Sequence, residues 1–344
     1  MGRFLEGLLS TQVKGQRGRR AAAIALMALG VLALLLVVLR FDALVAALQE
    51  AGLYLQYRFI QRALIVGVLV SLCAALLGVT LVLKRYSMIG DGLSHVGFGA
   101  LSIAASLGFV TAQSLPEFLP LGLREGIAGL CGAISASPLP FTLIVVIALA
   151  FLVLRLNESS SMRGDAAIAI LSTSALAVGV LVTSCTSGMN VDVMNYMFGS
   201  ILAMSSADVI LSVSLSAVVL VLFLLFCNRI FAVTFDEPFA RATGTRAGLY
   251  NMLIAILTAV TIVIGMRMMG TMLISSLIIF PALSSMRVFS RFRHVLASSA
   301  VISVLCFVIG IMLSCLYSLP AGAGIVVVNL CVFLIFSLVG KIRS

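Results

Sequence analysis

The 344-residue chain contains 62% apolar and 10% charged residues, and its mean hydropathy is +1.24. Soluble proteins average roughly 45–50% apolar and about 25% charged residues, so this composition excludes a soluble globular protein. The net charge of +10 would suggest nucleic-acid binding in a soluble protein, but here the basic residues lie mainly between apolar runs and indicate membrane topology. We therefore predict an all-α polytopic membrane protein with no nucleic-acid partner.

The N-terminal region carries an apolar run of its own. A basic segment, residues 1–20, precedes the run Ala21–Leu39. A cleaved signal peptide would have an apolar region of about 7–15 residues and a small-residue cleavage site. This run is longer and is followed by Arg40, so we favour an uncleaved transmembrane anchor. Residues 21–56 then hold the anchor and a linker at the outer membrane interface, and residues 57–344 hold the main membrane domain.

Nine further apolar runs give about 9–10 predicted spans, since roughly 20 apolar residues cross a bilayer. The runs are Arg62–Leu83, Leu93–Ala112, Pro138–Leu154, Ala166–Cys185, Val209–Cys227, Leu249–Met266, Thr271–Met286, Val295–Leu316 and Ala321–Gly340. The stretch Tyr196–Ser206 is too short to span and predicts a re-entrant or interfacial helix. The tight turn Arg267–Gly270 suggests that one flanking helix is broken.

The basic residues predict the orientation of the chain. If the N-terminus is cytoplasmic, 17 of the 22 lysines and arginines face the cytoplasm and 5 face outward. This asymmetry is the usual signature of inner loops. We expect a multi-pass membrane protein with both termini in the cytoplasm.

Asp91 and His95 are the main candidates for chemistry inside a span. An ionisable residue at a helix centre costs roughly 2.5–3.5 kcal/mol, which makes each one a functional candidate. Their spacing of four places both on one helical face. A carboxylate and an imidazole suit Zn²⁺ or Mn²⁺, with Ser94 as a further oxygen. The alternative is that Asp91 is a helix N-cap and His95 an ordinary interfacial residue; the residues alone leave both interpretations open.

A second candidate segment, Asp236–Gly244, lies between two predicted spans. Asp236 suits an N-cap, Pro238 suits a first turn and Gly244 suits the residue after a helix, so we predict a short bounded helix. With Phe239 as an apolar knob and Arg241 beside it, this helix would dock into a groove on a soluble subunit. The alternative is a simple interfacial turn.

Other patterns give weaker signals. Four methionines, Met266, Met268, Met269 and Met272, suggest either soft-metal ligation or packing, and packing is the better explanation in a methionine-rich apolar chain. The sequence has no phosphate-binding loop of the G-x-x-x-x-G-K-[ST] type and no recognisable nucleophile and base. We therefore expect that the chain is not an enzyme and that any ATP hydrolysis occurs on another chain.

Four stretches resemble the integral-membrane permeases of the ABC-3 family, and the resemblance runs from about Tyr57 to Lys341. The most specific stretch ends in Gly90-Asp91-x-x-Ser94-His95. The four stretches are Phe59–His95, Asp192–Asp208, Phe235–Gly244 and Gly270–Ser285. The resemblance implies the fold of type II ABC importer permeases. It also implies import of zinc, manganese or iron with a separate ATPase and a substrate-binding protein.

The resemblance also implies residue roles. Asp91 and His95 match residues that contact the metal on its path. The residues that match the segment touching the ATPase are Asp236, Glu237, Phe239, Arg241 and Gly244. The implied partners are an ATP-binding subunit, an extracytoplasmic metal-binding protein, a second permease copy and membrane lipid. No cofactor is expected to bind stably, because Zn or Mn is the substrate and ATP belongs to the partner subunit.

Two other functions remain open on sequence. One is an ABC permease for another small solute such as chelated iron, which would need a wider and more polar lining. The other is an ion-coupled secondary metal transporter that acts alone, although the chain has few buried acids for proton coupling.

Overall fold

The computed structural model describes residues 57–86, 88–109, 120–136, 138–158, 164–185, 206–317 and 319–343. The predicted anchor, its linker and most of the stretch Tyr196–Ser206 lie outside these ranges. Within them the chain forms eleven α-helices, one short 3-10 helix (Leu107–Phe109) and no strand, which confirms the all-α prediction. The helices are α1 Arg58–Leu83, α2 Ile89–Ser106, α3 Leu121–Ala136, α4 Pro138–Glu158, α5 Gly164–Cys185, α6 Ser206–Phe235, α7 Glu237–Ala242, α8 Ala247–Met269, α9 Thr271–Val288, α10 Phe292–Tyr317 and α11 Ala321–Arg343.

Seven helices in the described ranges are long and apolar enough to cross a membrane, namely α1, α5, α6, α8, α9, α10 and α11. An eighth span arises if α3 and α4, which are bent by 89° relative to each other, are counted together. The predicted span Pro138–Leu154 corresponds to α4, which counts toward a span only together with α3. The apolar runs missed α3, because glycines and the pair Arg124 and Glu125 interrupt its apolar pattern. The predicted span Leu93–Ala112 corresponds to α2, which begins earlier, ends at Ser106 and is not among these seven membrane-length helices.

The centre of the bundle is formed by α1 and α8. In their membrane-crossing windows 72% and 78% of residues are buried, against 17% in α11. α1 packs on α6, α9 and α10, and α2 packs mainly on α5 and α4. Ser303 and Ser71 join α10 to α1, because the Ser303 hydroxyl donates to the Ser71 carbonyl at 2.9 Å. The poorly buried helices present apolar faces that suit lipid or another membrane protein.

Glycines bring α2 unusually close to α5. A Cβ at Gly99 would lie 2.5 Å from the carbonyl oxygen of Ala175, and a Cβ at Gly179 would lie 2.9 Å from the Cα of Gly99. Both distances are too short for a side chain, so only glycine allows the two backbones to meet at this point. This contact fixes the position of α2, the helix that carries Asp91 and His95.

One end of the bundle is basic. It holds the α1–α2 turn, α7 and the α9–α10 connection, which are joined by a Lys84–Glu237 contact and by ring contacts of Phe231 and Phe235 with Phe292. We call it the basic end, and its exposed basic residues include Arg85, Arg241, Arg246, Arg287, Arg291 and Arg293. The grouping agrees with the predicted clustering of charge, while the orientation in the membrane stays a prediction.

The opposite end carries a tight turn and an ion pair. Gly270 has φ 87°, and it ends α8 and begins α9 without interrupting either helix. The prediction of a broken flanking helix is therefore wrong, because a glycine at positive φ reverses the chain within one residue. Nearby, Arg267 and Asp208 form an ion pair at 2.9 Å. Met266, Met268 and Met269 are buried, as expected for packing residues, whereas Met272 is exposed in this single chain.

Candidate functional site

Asp91 and His95 lie on α2 near the basic end. Asp91 is in the first turn of α2, shortly after the α1–α2 turn, and His95 follows one turn deeper. Their closest side-chain atoms, Asp91 Oδ1 and His95 Nε2, are 3.7 Å apart, and the side chains are 50% and 22% exposed. Both groups are thus reachable from outside this single chain, on a helix whose other faces pack against α4, α5, α8 and α9.

The N-cap interpretation of Asp91 does not agree with the structure. Met88 is the N-cap of α2, and no side chain caps that helix end. Asp91 instead follows inside the first turn, where a carboxylate is favoured by the positive end of the helix dipole. Ser94 is fully buried and donates to the Asp91 carbonyl at 2.8 Å, so its hydroxyl is engaged by the helix backbone.

The geometry of the pair suits a shared cation. The 3.7 Å separation is too long for a direct hydrogen bond. A Zn²⁺-type ion about 2.1 Å from both atoms would subtend an angle of about 120°, which is acceptable for such ions. His95 Nδ1 is buried and has no hydrogen-bond partner among the residues that the structure describes. No hydrogen bond from the described residues to Nδ1 therefore fixes the tautomer of this imidazole. A histidine that holds a metal permanently almost always has such a bond.

The pair does not form a complete resting metal site by itself. In the described part of the chain, no group of three or more histidine, cysteine, aspartate or glutamate side chains surrounds a common point. Structural zinc sites use four such ligands and catalytic ones use three. Two ligands on one exposed helical face can instead contact a cation briefly and release it.

The predicted short helix is present at the basic end as α7. The Asp236 carboxylate accepts a hydrogen bond from the Phe239 amide at 2.9 Å, and Thr243 is the C-cap. Gly244 follows at φ 81°, the left-handed conformation that glycine adopts without strain. Ala240 is buried against the bundle, while the Phe239 ring is 65% exposed. The helix is therefore held on one face and presents an apolar ring on the other.

Glu237 anchors α7 through three partners. Its carboxylate accepts from Arg241 at 2.6 Å and from the Asn251 side chain at 3.1 Å, and it lies 3.8 Å from Lys84 Nζ. Partial burial would raise the pKa of Glu237, but the hydrogen bonds from Asn251 and Arg241 and the charges of Lys84 and Arg241 outweigh it. The pKa of Glu237 is therefore lowered, and the group is ionised at neutral pH.

Lys84 and Asn251 were missed by the sequence analysis. The Lys84 ammonium donates to the Asn251 side-chain oxygen, and Asn251 donates in turn to Glu237. These residues come from α1, α8 and α7, so no local pattern joins them. The available signal was a lysine at the end of a span and an asparagine within a predicted span, both of which require a polar partner.

The seven membrane-length helices in the described ranges define a multi-pass membrane protein. The chain belongs to the ABC 3 transport family, whose family model matches residues 56–340. It is 32% identical over 283 residues to the manganese transport system membrane protein MntB of Synechocystis sp., covering 82% of this chain and 83% of that protein. It is 27% identical to the high-affinity zinc uptake system membrane protein ZnuB of Haemophilus influenzae, covering 79% and 94%.

Two solved structures share the fold. PsaBC from Streptococcus pneumoniae in complex with Fab has a TM-score of 0.66 at 24% identity, covering 86% of this chain and 100% of that one. An inward-facing conformation of a putative metal-chelate type ABC transporter has a TM-score of 0.57 at 15% identity, covering 82% and 83%. The ABC importer-like permease fold implied by the sequence resemblance is thus confirmed.

Proposed function

We propose that this chain is the membrane-spanning permease of an ATP-driven importer of divalent transition-metal cations, with Mn²⁺ or Zn²⁺ as the substrate. The observation that carries the proposal is the exposed Asp91–His95 pair, whose 3.7 Å separation suits one shared cation. The chain that carries this pair belongs to the ABC 3 transport family, and two of its relatives are named for manganese and zinc transport.

In this proposal, Asp91 and His95 are transient ligands on the path of the ion. Two copies of the chain enclose a central path, and an extracytoplasmic binding protein delivers the cation at the outer end. One ATPase subunit binds α7 of each copy at the cytoplasmic basic end. Nucleotide-driven movement of the ATPases shifts α7 and switches the path between outward and inward opening, as rigid-body transitions do in other transporters.

The decisive test removes one ligand. The complex of this chain with its ATPase and binding protein is reconstituted in liposomes, and uptake of Mn²⁺ and of Zn²⁺ is measured. Asp91→Ala and His95→Ala should each lower ATP-dependent uptake at least about tenfold, because loss of even an outer-shell partner of a metal ligand typically costs about 10–100-fold in affinity or activity. Glu125→Gln removes an exposed carboxylate elsewhere, on α3, and should transport normally.

Two outcomes would contradict the proposal. Undiminished uptake by Asp91→Ala would remove the ligand role. Accumulation of either cation by the purified chain alone, without ATPase and ATP, would identify a secondary transporter instead.

Truncation of Phe239 tests whether the ATPase docks on α7. The ring is 65% exposed and apolar, and truncation of a central aromatic anchor typically costs about 2 kcal/mol or more, roughly 30-fold in affinity. Phe239→Ala should therefore lose its ATPase in pull-down titrations. Met272→Ala truncates an equally exposed side chain at the opposite end and should retain it. Equal retention by both variants would place the ATPase contact elsewhere.

A further inference from the structure

Lys84 connects α7 to the helix that carries the Asp91–His95 pair. It is the C-cap of α1, and its side chain reaches across to α7 and α8. Its ammonium lies 3.8 Å from the Glu237 carboxylate and donates to the Asn251 side chain. Glu237 in turn holds Arg241 within α7. The end of α1 therefore shares one polar cluster at the basic end with α7 and α8, which lie far from it in sequence.

Burial makes this cluster more than a surface ion pair. The Lys84 side chain is 11% exposed and that of Glu237 is 30% exposed. Exposed pairs contribute little because water and salt screen them, whereas partly buried charges interact more strongly and are costly to leave without a partner. A movement of Glu237 is therefore expected to displace the Lys84 ammonium rather than leave it behind.

The chain after Lys84 leads directly into α2 through hydrogen-bonded backbone. The Lys84 amide bonds to the Thr80 carbonyl at 3.1 Å, and the Tyr86 amide bonds to the Leu81 carbonyl at 2.9 Å. The Ile89 amide then bonds to the Tyr86 carbonyl at 3.0 Å. These bonds tie Tyr86 to the end of α1 and the start of α2 to Tyr86, so a displacement of the end of α1 is expected to reach the first turn of α2.

The turn also holds a residue in a sparsely populated conformation. Arg85 has φ 62°, in the left-handed region that non-glycine residues seldom adopt. This geometry directs the chain from the end of α1 back into the bundle, where the first turn of α2 carries Asp91. The position of that turn thus depends on where the end of α1 is held.

We propose that Lys84 is a positioning residue that couples movement of α7 to the first turn of α2 and so to the Asp91–His95 pair. The inference deepens the proposed function and rests on it for the ATPase contact at α7. Lys84 does not contact the substrate. It makes the position of α2 follow that of α7, so that a movement of α7 reaches the Asp91–His95 pair.

The test measures coupling separately from uptake. Met88, the N-cap of α2, is 53% exposed, and Met88→Cys provides a thiol for an impermeant maleimide. The labelling rate is compared with and without ATP in the assembled complex, against the parent chain with its 7 native cysteines. Lys84→Met keeps much of the stem but removes the charge. Arg291→Met is the control, since it removes an exposed charge from another connection at the same end.

Lys84→Met should keep the ATPase bound and hydrolysing ATP while the nucleotide-dependent change at residue 88 falls at least about fivefold, the low end of typical coupling effects. Mn²⁺ and Zn²⁺ uptake per ATP should fall with it. Arg291→Met should behave like the parent. A response at residue 88 equal in both variants would overturn the proposal.

If the Lys84→Met chain does not assemble with its ATPase, exchanging the charges of residues 84 and 237 provides a second test. Lys84→Glu and Glu237→Lys should each lose the response, and the double variant should recover most of it. Failure of the double variant to recover would overturn the coupling role. The proposed function fails separately, when the parent complex takes up neither cation although the label at residue 88 responds to ATP.

Discussion

At the scale of single residues, the same chemistry serves two purposes in this chain. Asp91 and Glu237 are both carboxylates in the first turn of a helix. Glu237 is held by Arg241, Asn251 and Lys84. Asp91 is half exposed, and its carboxylate lies 3.7 Å from His95. The first arrangement holds α7 in place, and the second leaves the Asp91 carboxylate free for the ligand role that we propose.

The lowered pKa of Glu237 predicts a pH dependence for the seating of α7. Because the folded-state value lies below the ordinary value of about 4.3, the stabilising contacts are complete above that value. They are lost as the pH falls through the lowered one. The sequence contains no tryptophan, so Phe239→Trp gives a single fluorescence reporter. Its signal should be constant from pH 8 to about 5 and change at lower pH.

Glu237→Gln in the same reporter chain is the control. Asp236 is present in both chains, so the difference between their titrations isolates Glu237. Identical acid transitions in the two chains would show that Glu237 does not hold α7.

At the scale of elements, the position of α2 depends on close backbone contact. Gly99 and Gly179 let α2 and α5 meet where any Cβ would collide with backbone. Helices in membranes associate through such small residues, because lipid provides no hydrophobic drive between them. The precise position of the Asp91–His95 pair therefore depends on residues that carry no chemistry themselves.

Gly99→Ala should destabilise this contact. The added methyl would lie 2.5 Å from the Ala175 carbonyl oxygen, and overpacking of this kind costs about 1–3 kcal/mol. Circular dichroism during heating in detergent should show a melting temperature lower by several degrees. Gly126→Ala is the matched control, because a Cβ there meets nothing within 4 Å. It should melt at the same temperature or slightly higher, since alanine favours a helix. Equal melting temperatures for the two variants would show that the close contact at Gly99 does not stabilise the fold.

At the scale of the whole molecule, the basic end sets the expected orientation. Exposed arginines from three connections gather there, together with α7. Basic loops remain on the cytoplasmic side of a bacterial membrane, which is also where an ATPase would be found. The same asymmetry thus predicts both the topology and the side on which α7 is accessible.

Two cysteine reporters test this orientation. Phe239→Cys at the basic end should react with an impermeant maleimide only in inverted membrane vesicles. Met272→Cys at the opposite end should react only in right-side-out vesicles or intact spheroplasts. Each is compared with the parent chain, whose exposed Cys185 sets the background. The reverse pattern of labelling would invert the predicted topology.

The sequence by itself determined the class of the protein, most of its spans and the limits of α7. These follow from local properties, namely the length of apolar runs, the placement of basic residues and the capping types at Asp236 and Gly244. It also placed Asp91 and His95 on one helical face, because that depends only on their spacing.

Only the tertiary structure decided how these parts act on one another. It excluded the N-cap role of Asp91, kept α8 and α9 whole around Gly270, and brought Lys84, Glu237 and Asn251 together. The physical reason is that interior contacts between helices join residues far apart along the chain. Membrane helices of similar composition do not encode in their local pattern which neighbour they will meet.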